Sequence, residues 1–504
     1  MMKQKIKKGW VFYGFIFLFI FIISFIDIYG KFSSPSDKEY YIHSEDINVH
    51  YTYINQARQG QITFYNQFTA EKHPPVFFIF PFLLGGIIGS IFQIDNFWLY
   101  LSLRILFSIS LLVLLYYYYF YLFQDYKKTK LAWVLTLFAN GLLIEGGAYG
   151  SIFQSSYNIL VIYSLISVIA ILWLTSLYLR EKKYYYSLLA FIILLILAFS
   201  HPFDALLIFL VMSLYIVISA FYGARFLFFY LKHYCLICLA VVLAFACYLF
   251  CFFHYSAIGG YLLNSNIPNG GIIWFVKNYS VLIIASIIGL FISYKEKLGN
   301  PRSWLVFCWL ITGVLAFFLP ISFSLRLSIG LVIPFIVFSV PWLIKLSKNY
   351  LTKALLVFII VFLFYQSFLS YSQGVWLLKN KSWPFYLPKE YFKPLIWLKE
   401  NAKLTFVVLA SEKWWTFFPA YSGTAVFIGS TWQTVEVARK VLLVNWFYRD
   451  NSADQEKKQF LKNNNIDYIY YSPAEKEKGS FDPQNKDYLK KVYDDGTTEI
   501  YKVK

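Results

Sequence analysis

Residues 44–81, SEDINVHYTYINQARQGQITFYNQFTAEKHPPVFFIFP, place Glu45, Asp46, His50, Glu71, Lys72 and His73 beside long apolar runs. Carboxylates and histidines next to a bilayer suit work on a polar group carried by a lipid. Asp46 and His50 are spaced i, i+4, so a short helix puts both on one face. An ionised aspartate there can take the proton of a sugar or lipid hydroxyl. The same side chain can equally cap a helix. Asp46, His50 and Glu71 could instead share a divalent metal, although nothing in their spacing fixes that geometry. Pro74 and Pro75 hold Glu71 and Lys72 in an extended stretch.

Two further groups lie far along the chain. His201-Pro202-Phe203-Asp204 interrupts an apolar stretch, 185–222, too long for one membrane crossing. Proline and aspartate suffice for a turn, so His201 and Asp204 are either cap residues or substrate contacts. Arg326 opens an apolar run, and its planar fork suits a phosphate. Snorkelling or pairing with Asp204 is the alternative. Arg104 is expected to be buried against a carboxylate, and Glu145 is a weaker site candidate.

The elements that position these residues are membrane spans. The 504 residues are 59% hydrophobic and 14% charged, which no soluble fold accommodates. Aromatic residues reach 22%, suiting interfacial belts and a lipid-lined groove. The net charge of +18 (45 − 27) is spread over short loops, favouring anionic lipid over nucleic acid as partner. The five cysteines lie in apolar segments, where Cys235-x-x-Cys238 reads as core packing. Residues 9–29 read as an uncleaved first span.

Apolar runs near 9–29, 98–123, 131–150, 157–179, 185–200, 203–222, 233–253, 279–294, 303–321, 327–346 and 354–371 predict about eleven spans. Lys3, Lys5, Lys7 and Lys8 place the N-terminus in the cytoplasm, and the later basic loops join it there only if 76–94 does not cross. Pro74, Pro75, Pro81 and Gly85-Gly86 fit a broken juxtamembrane helix. Loop 30–96, the turns 145–158, 200–204 and 322–326, loop 254–278 and everything after about 372 then face outward. The expected fold is a polytopic α-helical membrane domain, 1–372, with a small extracytoplasmic α/β domain, 373–504. Within that tail 405–410, 425–430 and 466–472 read as buried strands, 432–446 and 453–464 as helices, and Asp495-Gly496 as a hairpin turn. No GxGxxG, P-loop, HExxH or GxSxG is present.

With these residues in view the chain resembles the GT-C glycosyltransferases, polytopic enzymes that use polyprenyl-phosphate-linked sugars. It resembles the bacterial branch that includes the aminoarabinose transferase acting on lipid A and the protein O-mannosyltransferases. Asp46 with His50-Tyr51 resembles the family's early acidic motif, and Glu71-Lys72-His73-Pro74-Pro75 its Glu-Lys-Pro-like element. The order Glu45-Asp46 reverses the pair found in many relatives, and His73 is inserted. The resemblance implies transfer from a polyprenyl-phosphate donor to a lipid, glycan or protein acceptor at the outer face of the plasma membrane, with inversion. Asp46 would be the base, and Glu71 a second catalytic residue that orients the acceptor or a metal. Arg326, with Lys72, would stabilise the leaving phosphate, and Glu45, His50, His201 and Asp204 would be substrate contacts. The rival reading is a transporter or flippase for an amphipathic solute, which should carry ionisable residues near the bilayer midplane. A non-catalytic scaffold displaying the tail is a third.

Overall fold

The computed structural model describes residues 2–40, 45–138, 157–221, 227–255, 257–258, 271–295, 301–321, 323–346, 350–381, 386–411 and 415–504. Glu145 and most of the turn 145–158 and of loop 254–278 lie outside these residues.

Long runs of Leu, Ile, Phe and Val without charge form helices because only helices satisfy their own backbone in hydrocarbon. Seven of the described helices are long and apolar enough to cross a membrane. Phe80–Phe92, Tyr184–Ser200 and Ser303–Phe317 are shorter apolar helices. Large side chains such as Phe17, Phe21, Val242, Phe250 and Phe291 stand exposed along the helices, the surface a bilayer requires.

The chain divides into two compact units. The helix unit comprises Met1–Tyr29, Tyr100–Ala246 and Asn266–Asn380. Its helices include α1 (Met2–Phe32), α4 (Asn96–Phe123), α6 (Ile159–Glu181), α7 (Tyr184–Ser200) and α8 (Pro202–Phe221), numbered with α2, α3 and α5 (Tyr126–Phe138) in chain order. Later come α9 (Leu227–His254), α10 (Gly271–Lys295), α11 (Pro301–Phe317), α12 (Val332–Leu346) and α13 (Tyr350–Lys379). Helix α6 is buried along most of its length, and Asn158 caps it by accepting from the Leu160 and Val161 amides. Two buried polar groups inside this unit have specific partners. His233 bridges the Thr175 and Ser187 hydroxyls at 2.9 and 2.7 Å. Arg104 pairs with Asp27 at 2.5 Å and donates to the Ile23 carbonyl, so burial against a carboxylate is its fate.

The second unit comprises Gly30–Leu99, Cys247–Ser265 and Lys381–Lys504. It contains α2 (Glu45–Arg58), α3 (Phe80–Phe92), α14 (Lys393–Asn401), α15 (Val437–Arg449) and α16 (Asp454–Asn463). Strands β1 (Lys38–Tyr40) and β2 (Tyr386–Pro388) pair antiparallel. The others, β3 (Val407–Leu409), β4 (Ala425–Val426), β5 (Ile466–Tyr471), β6 (Leu489–Asp494) and β7 (Glu499–Val503), form a mixed sheet in the order β4-β3-β5-β7-β6. Apolar clusters on both of its faces hold it: Leu409, Phe447, Leu461 and Ile469 on one, Val408, Phe418, Tyr470 and Ile500 on the other. Helix α15 begins at Val437, five residues later than expected from the sequence. The residues before it turn on Ser430, whose carbonyl takes the Gln433 and Thr434 amides.

Helices α2 and α3 pack closely at Gly86. A Cβ there would stand 2.2 Å from the Ala57 Cβ, so only glycine permits the approach. Pro81 lies in the first turn of α3, and Gln93 ends the helix in the left-handed conformation.

Candidate functional site

The first loop is built into the tail. Helix α2 is buried from Ile47 to Ile54 and reaches tail groups through its polar side chains. Asn48 Nδ2 donates to Thr416 Oγ1 at 2.9 Å, Tyr53 Oη to Gln433 Oε1 at 3.1 Å, and Asn55 Nδ2 to the Ala420 carbonyl at 2.8 Å. Residues 66–69 then extend the sheet beside β4. The Val426 amide donates to the Gln67 carbonyl at 3.0 Å, and Thr69 bridges Ile428. Thr434 Oγ1 donates to the Phe68 carbonyl at 2.7 Å and accepts from the Gly429 amide at 2.9 Å. Gly429 must be glycine, because a Cβ would lie 2.7 Å from the Phe68 Cα.

Asp46 stands exposed in the first turn of α2, the end of a helix that favours a carboxylate. Glu45 opens the same turn. His50, one turn on, is buried against the Phe82 ring at 4.4 Å between centroids. Burial lowers its pKa to about 3, so its imidazole is neutral at physiological pH. Equal helical phase therefore leaves Asp46 in water and His50 in the core.

Glu71 accepts from Thr69 Oγ1 and pairs with Lys440 Nζ at 2.8 Å. Lys440 also donates to Thr69 Oγ1 at 3.1 Å and lies 5.0 Å from the Phe427 ring centroid. Burial lowers the lysine pKa, and the Glu71 carboxylate works against that shift. His73 accepts from the Asn66 amide at Nε2 (3.2 Å), which puts its proton on Nδ1, 2.7 Å from the Pro74 carbonyl oxygen that accepts it. Lys72 is exposed. Its charge opposes the rise in the Asp467 pKa, which is caused first by burial; the Val407 amide, donating at 2.8 Å, opposes that rise too.

Glu71, Lys72 and His73 line a cleft of about 730 Å³ with Gln56, Gln61 and residues 65–67, 69–70, 404–407, 425, 461–462 and 465–467. Lys440 and Asp467 were not singled out from the sequence. Lys440 had a signal: it falls at i+3 in the apolar stripe Val437, Val441, Val444. Asp467 had one too, as the only charge in the strand IDYIYY.

His201, Asp204 and Arg326 belong to the helix unit. His201 ends α7 and Asp204 lies in the first turn of α8. Their side chains meet at 2.6 Å, Nδ1 to Oδ2, with Asp204 fully buried. Asp204 Oδ1 is buried without a hydrogen-bond partner among the described residues. Arg326 stands on the short 3₁₀ turn Ser324–Ser328, its guanidinium 4.8 Å from the Phe203 ring centroid. The structure thus gathers these residues around Phe203. It does not gather Asp46, His50 and Glu71 into a metal site: His50 is packed on Phe82 and Glu71 is held by Lys440. Among the described residues no three His, Cys, Asp or Glu side chains come together to hold an ion.

No protein-family model and no curated protein matches the chain. Solved structures do. The Archaeoglobus fulgidus oligosaccharyltransferase, tethered to an acceptor peptide, superposes with a TM-score of 0.58 at 12% identity, over 92% of this chain and 69% of that one. The same archaeal enzyme, AglB, in complex with an inhibitory peptide and a dolichol-phosphate, gives 0.59 at 13% identity over the same shares. Both are GT-C membrane glycosyltransferases. This chain shares the GT-C fold. The arabinofuranosyltransferase AftD from Mycobacteria, also GT-C, gives 0.55 at 11% identity, over 96% of this chain and 41% of that one. At these identities the GT-C likeness is one of fold.

Proposed function

We propose that the chain is a membrane glycosyltransferase that moves a sugar from a polyprenyl-phosphate donor to an acceptor on the extracytoplasmic face. The observation that carries this reading is the fold, shared over nine-tenths of the chain with an enzyme whose complex holds a dolichol-phosphate. Asp46, exposed at the start of α2, takes the proton of the acceptor hydroxyl. The freed oxygen attacks the anomeric carbon. The bond from that carbon to the phosphate oxygen breaks, and polyprenyl phosphate leaves with the electron pair. Attack opposite the leaving group inverts the sugar. Arg326 offers the leaving phosphate a planar fork, with His201 and Asp204 beside it as further substrate contacts. Glu71, held by Lys440, orients the acceptor, and Lys72 adds positive charge.

Topology fits this reading. Residues 66–71 bond to the tail, so loop and tail lie on one side of the membrane. An even number of crossings must then separate them. The ten apolar runs from 98 to 371 meet that condition, and an added crossing at 76–94 would break it. Helix α3, 13 residues and therefore about 20 Å long, falls short of a hydrocarbon core of about 30 Å. The reading proposed is eleven spans, with the basic N-terminus inside and the α/β region of 373–504 outside.

Asp46→Asn removes the proton acceptor and keeps the shape. Transfer in a purified assay should fall by roughly 10²–10⁴-fold, with binding of polyprenyl phosphate unchanged. Glu45→Gln, the control for the reversed acidic pair, should cost much less. Full transfer by Asp46→Asn would remove the base assignment, and no sugar transfer by the wild type from any polyprenyl-phosphate donor would remove the enzymatic reading.

A further inference from the structure

The cleft at Glu71–His73 carries more recognition chemistry than the loop needs for its own packing. Its charged lining consists of Glu71, Lys72, Lys462 and Asp467, two acids and two bases. A lining of net zero charge does not select a phosphate, and two carboxylates would repel one. Amides flank the charges. Gln61 Oε1 is buried and makes no hydrogen bond among the described residues, leaving an acceptor to be satisfied. Asn465, exposed at the rim, presents an amide that both donates and accepts. Tyr65 and Phe406 supply aromatic surface within the same wall.

Amides, carboxylates and ammonium groups interleaved with aromatic rings complement a ligand that is polar at its edges, apolar on its faces and uncharged overall. Sugar rings have that character. A lipid tail does not, because it would strip water from these charges without replacing it. A peptide is also disfavoured. The free edge it would need for strand pairing is taken, since residues 66–69 already lie along β4 and reach Ile428.

Position adds a second argument. Gln56, at the cleft, lies ten residues beyond Asp46 on α2, about 15 Å along the helix axis. A group in the cleft is therefore well away from the reacting hydroxyl. Volume agrees, since about 730 Å³ holds several ring-sized units.

We propose that this cleft is a saccharide-binding subsite, taking the distal part of a neutral oligosaccharide whose other end is presented to Asp46. Asp467 and Gln61 accept hydrogen bonds from ring hydroxyls, Asn465 and Lys462 bond at the rim, and Tyr65 covers a sugar face. Presentation of the other end to Asp46 rests on the glycosyltransferase reading; the binding of sugar does not.

The test uses the full chain in lipid nanodiscs without donor. Linear hexasaccharides of glucose, mannose, galactose and arabinose are the probes, read by saturation-transfer NMR and titration. At least one should bind, and Tyr65→Ala, Asp467→Asn and Gln61→Ala should each weaken it at least tenfold. Asp467→Asn keeps an oxygen for the Val407 amide, and Gln61→Ala removes a side chain whose carbonyl oxygen has no internal partner, so both should retain wild-type thermal unfolding. Asp46→Asn should bind the same sugar undiminished. Binding of no hexasaccharide overturns the proposal. So does binding that all three cleft variants leave intact, or a preference for phosphorylated sugars or peptides. Sugar binding without any transfer would sink the enzymatic reading and support the cleft. Transfer with an unchanged acceptor KM in all three cleft variants would do the reverse.

Discussion

Arg104 and Lys440 are both buried cations paired with a carboxylate, yet their surroundings differ. Arg104 and Asp27 have side chains 0% and 4% exposed, inside the helix unit. Lys440 is 6% exposed, but its partner Glu71 is 29% exposed at the edge of a cleft. In the first case water cannot replace a lost partner. In the second it can, on one side. The helix unit therefore depends on a few polar pairs in an apolar background. The loop and tail depend on many moderate bonds sharing one task, the placing of residues 66–73.

The sharpest way to break this contrast is Arg104→Ala. It takes the guanidinium away from the buried Asp27 side chain, and should cost about 3–5 kcal/mol in unfolding experiments in detergent. The double variant Arg104→Met with Asp27→Leu should be less destabilised than either single one. An equal loss in the double would mean that packing, not the stranded charge, sets the cost.

Lys440→Met should cost less, about 1.5–3 kcal/mol for a lost charge-assisted bond. The damage should also be local. Amide hydrogen exchange should quicken over 66–72 and stay unchanged in α6 and α8. Uniform quickening across both units would erase the distinction drawn here.

At neutral pH the variant with the least effect is one at His50, whose contribution appears only on acidification. Its folded pKa of about 3 lies below the ordinary 6.5. The unfolded chain therefore binds the proton first as pH falls. Stability is complete above pH 6.5 and declines towards pH 3, by about 1.4 kcal/mol per pH unit through this group. His50→Phe should flatten that part of the pH profile while keeping the ring contact with Phe82. A profile of unchanged slope in the variant would assign the acid sensitivity to other groups.

Much of the fold was legible because its causes are local. Among the described residues the long apolar runs are helical, while 139–150 of the run 131–150 lies outside them, and Val407–Leu409 and Ile466–Tyr471 fall within the β-branched and aromatic runs read as strands. Asp495-Gly496 turns the hairpin between β6 and β7, since Gly496 takes a positive φ of 83°. The site was less legible because its causes are distant in sequence. The i, i+4 spacing of Asp46 and His50 gave their shared face but not the neighbours of that face, which α3 supplies through Phe82. The partner of Glu71 lies 369 residues away on a different element, and no pattern within residues 44–81 could name it. What periodicity did contain was the lysine breaking an apolar stripe in α15.

The strand-like addition of residues 66–69 to β4 also sets an order of events during synthesis. Gln67 Nε2 donates to the Leu404 carbonyl, and Thr434 returns a bond to Phe68 across 366 residues. At translation speeds of about 5–20 residues per second, the loop waits roughly 20–70 s for these partners. Until then its polar groups have only water and lipid headgroups to bind. The cleft exists only after the tail arrives, so a nascent chain halted in its last hundred residues would hold finished helices and an unassembled site.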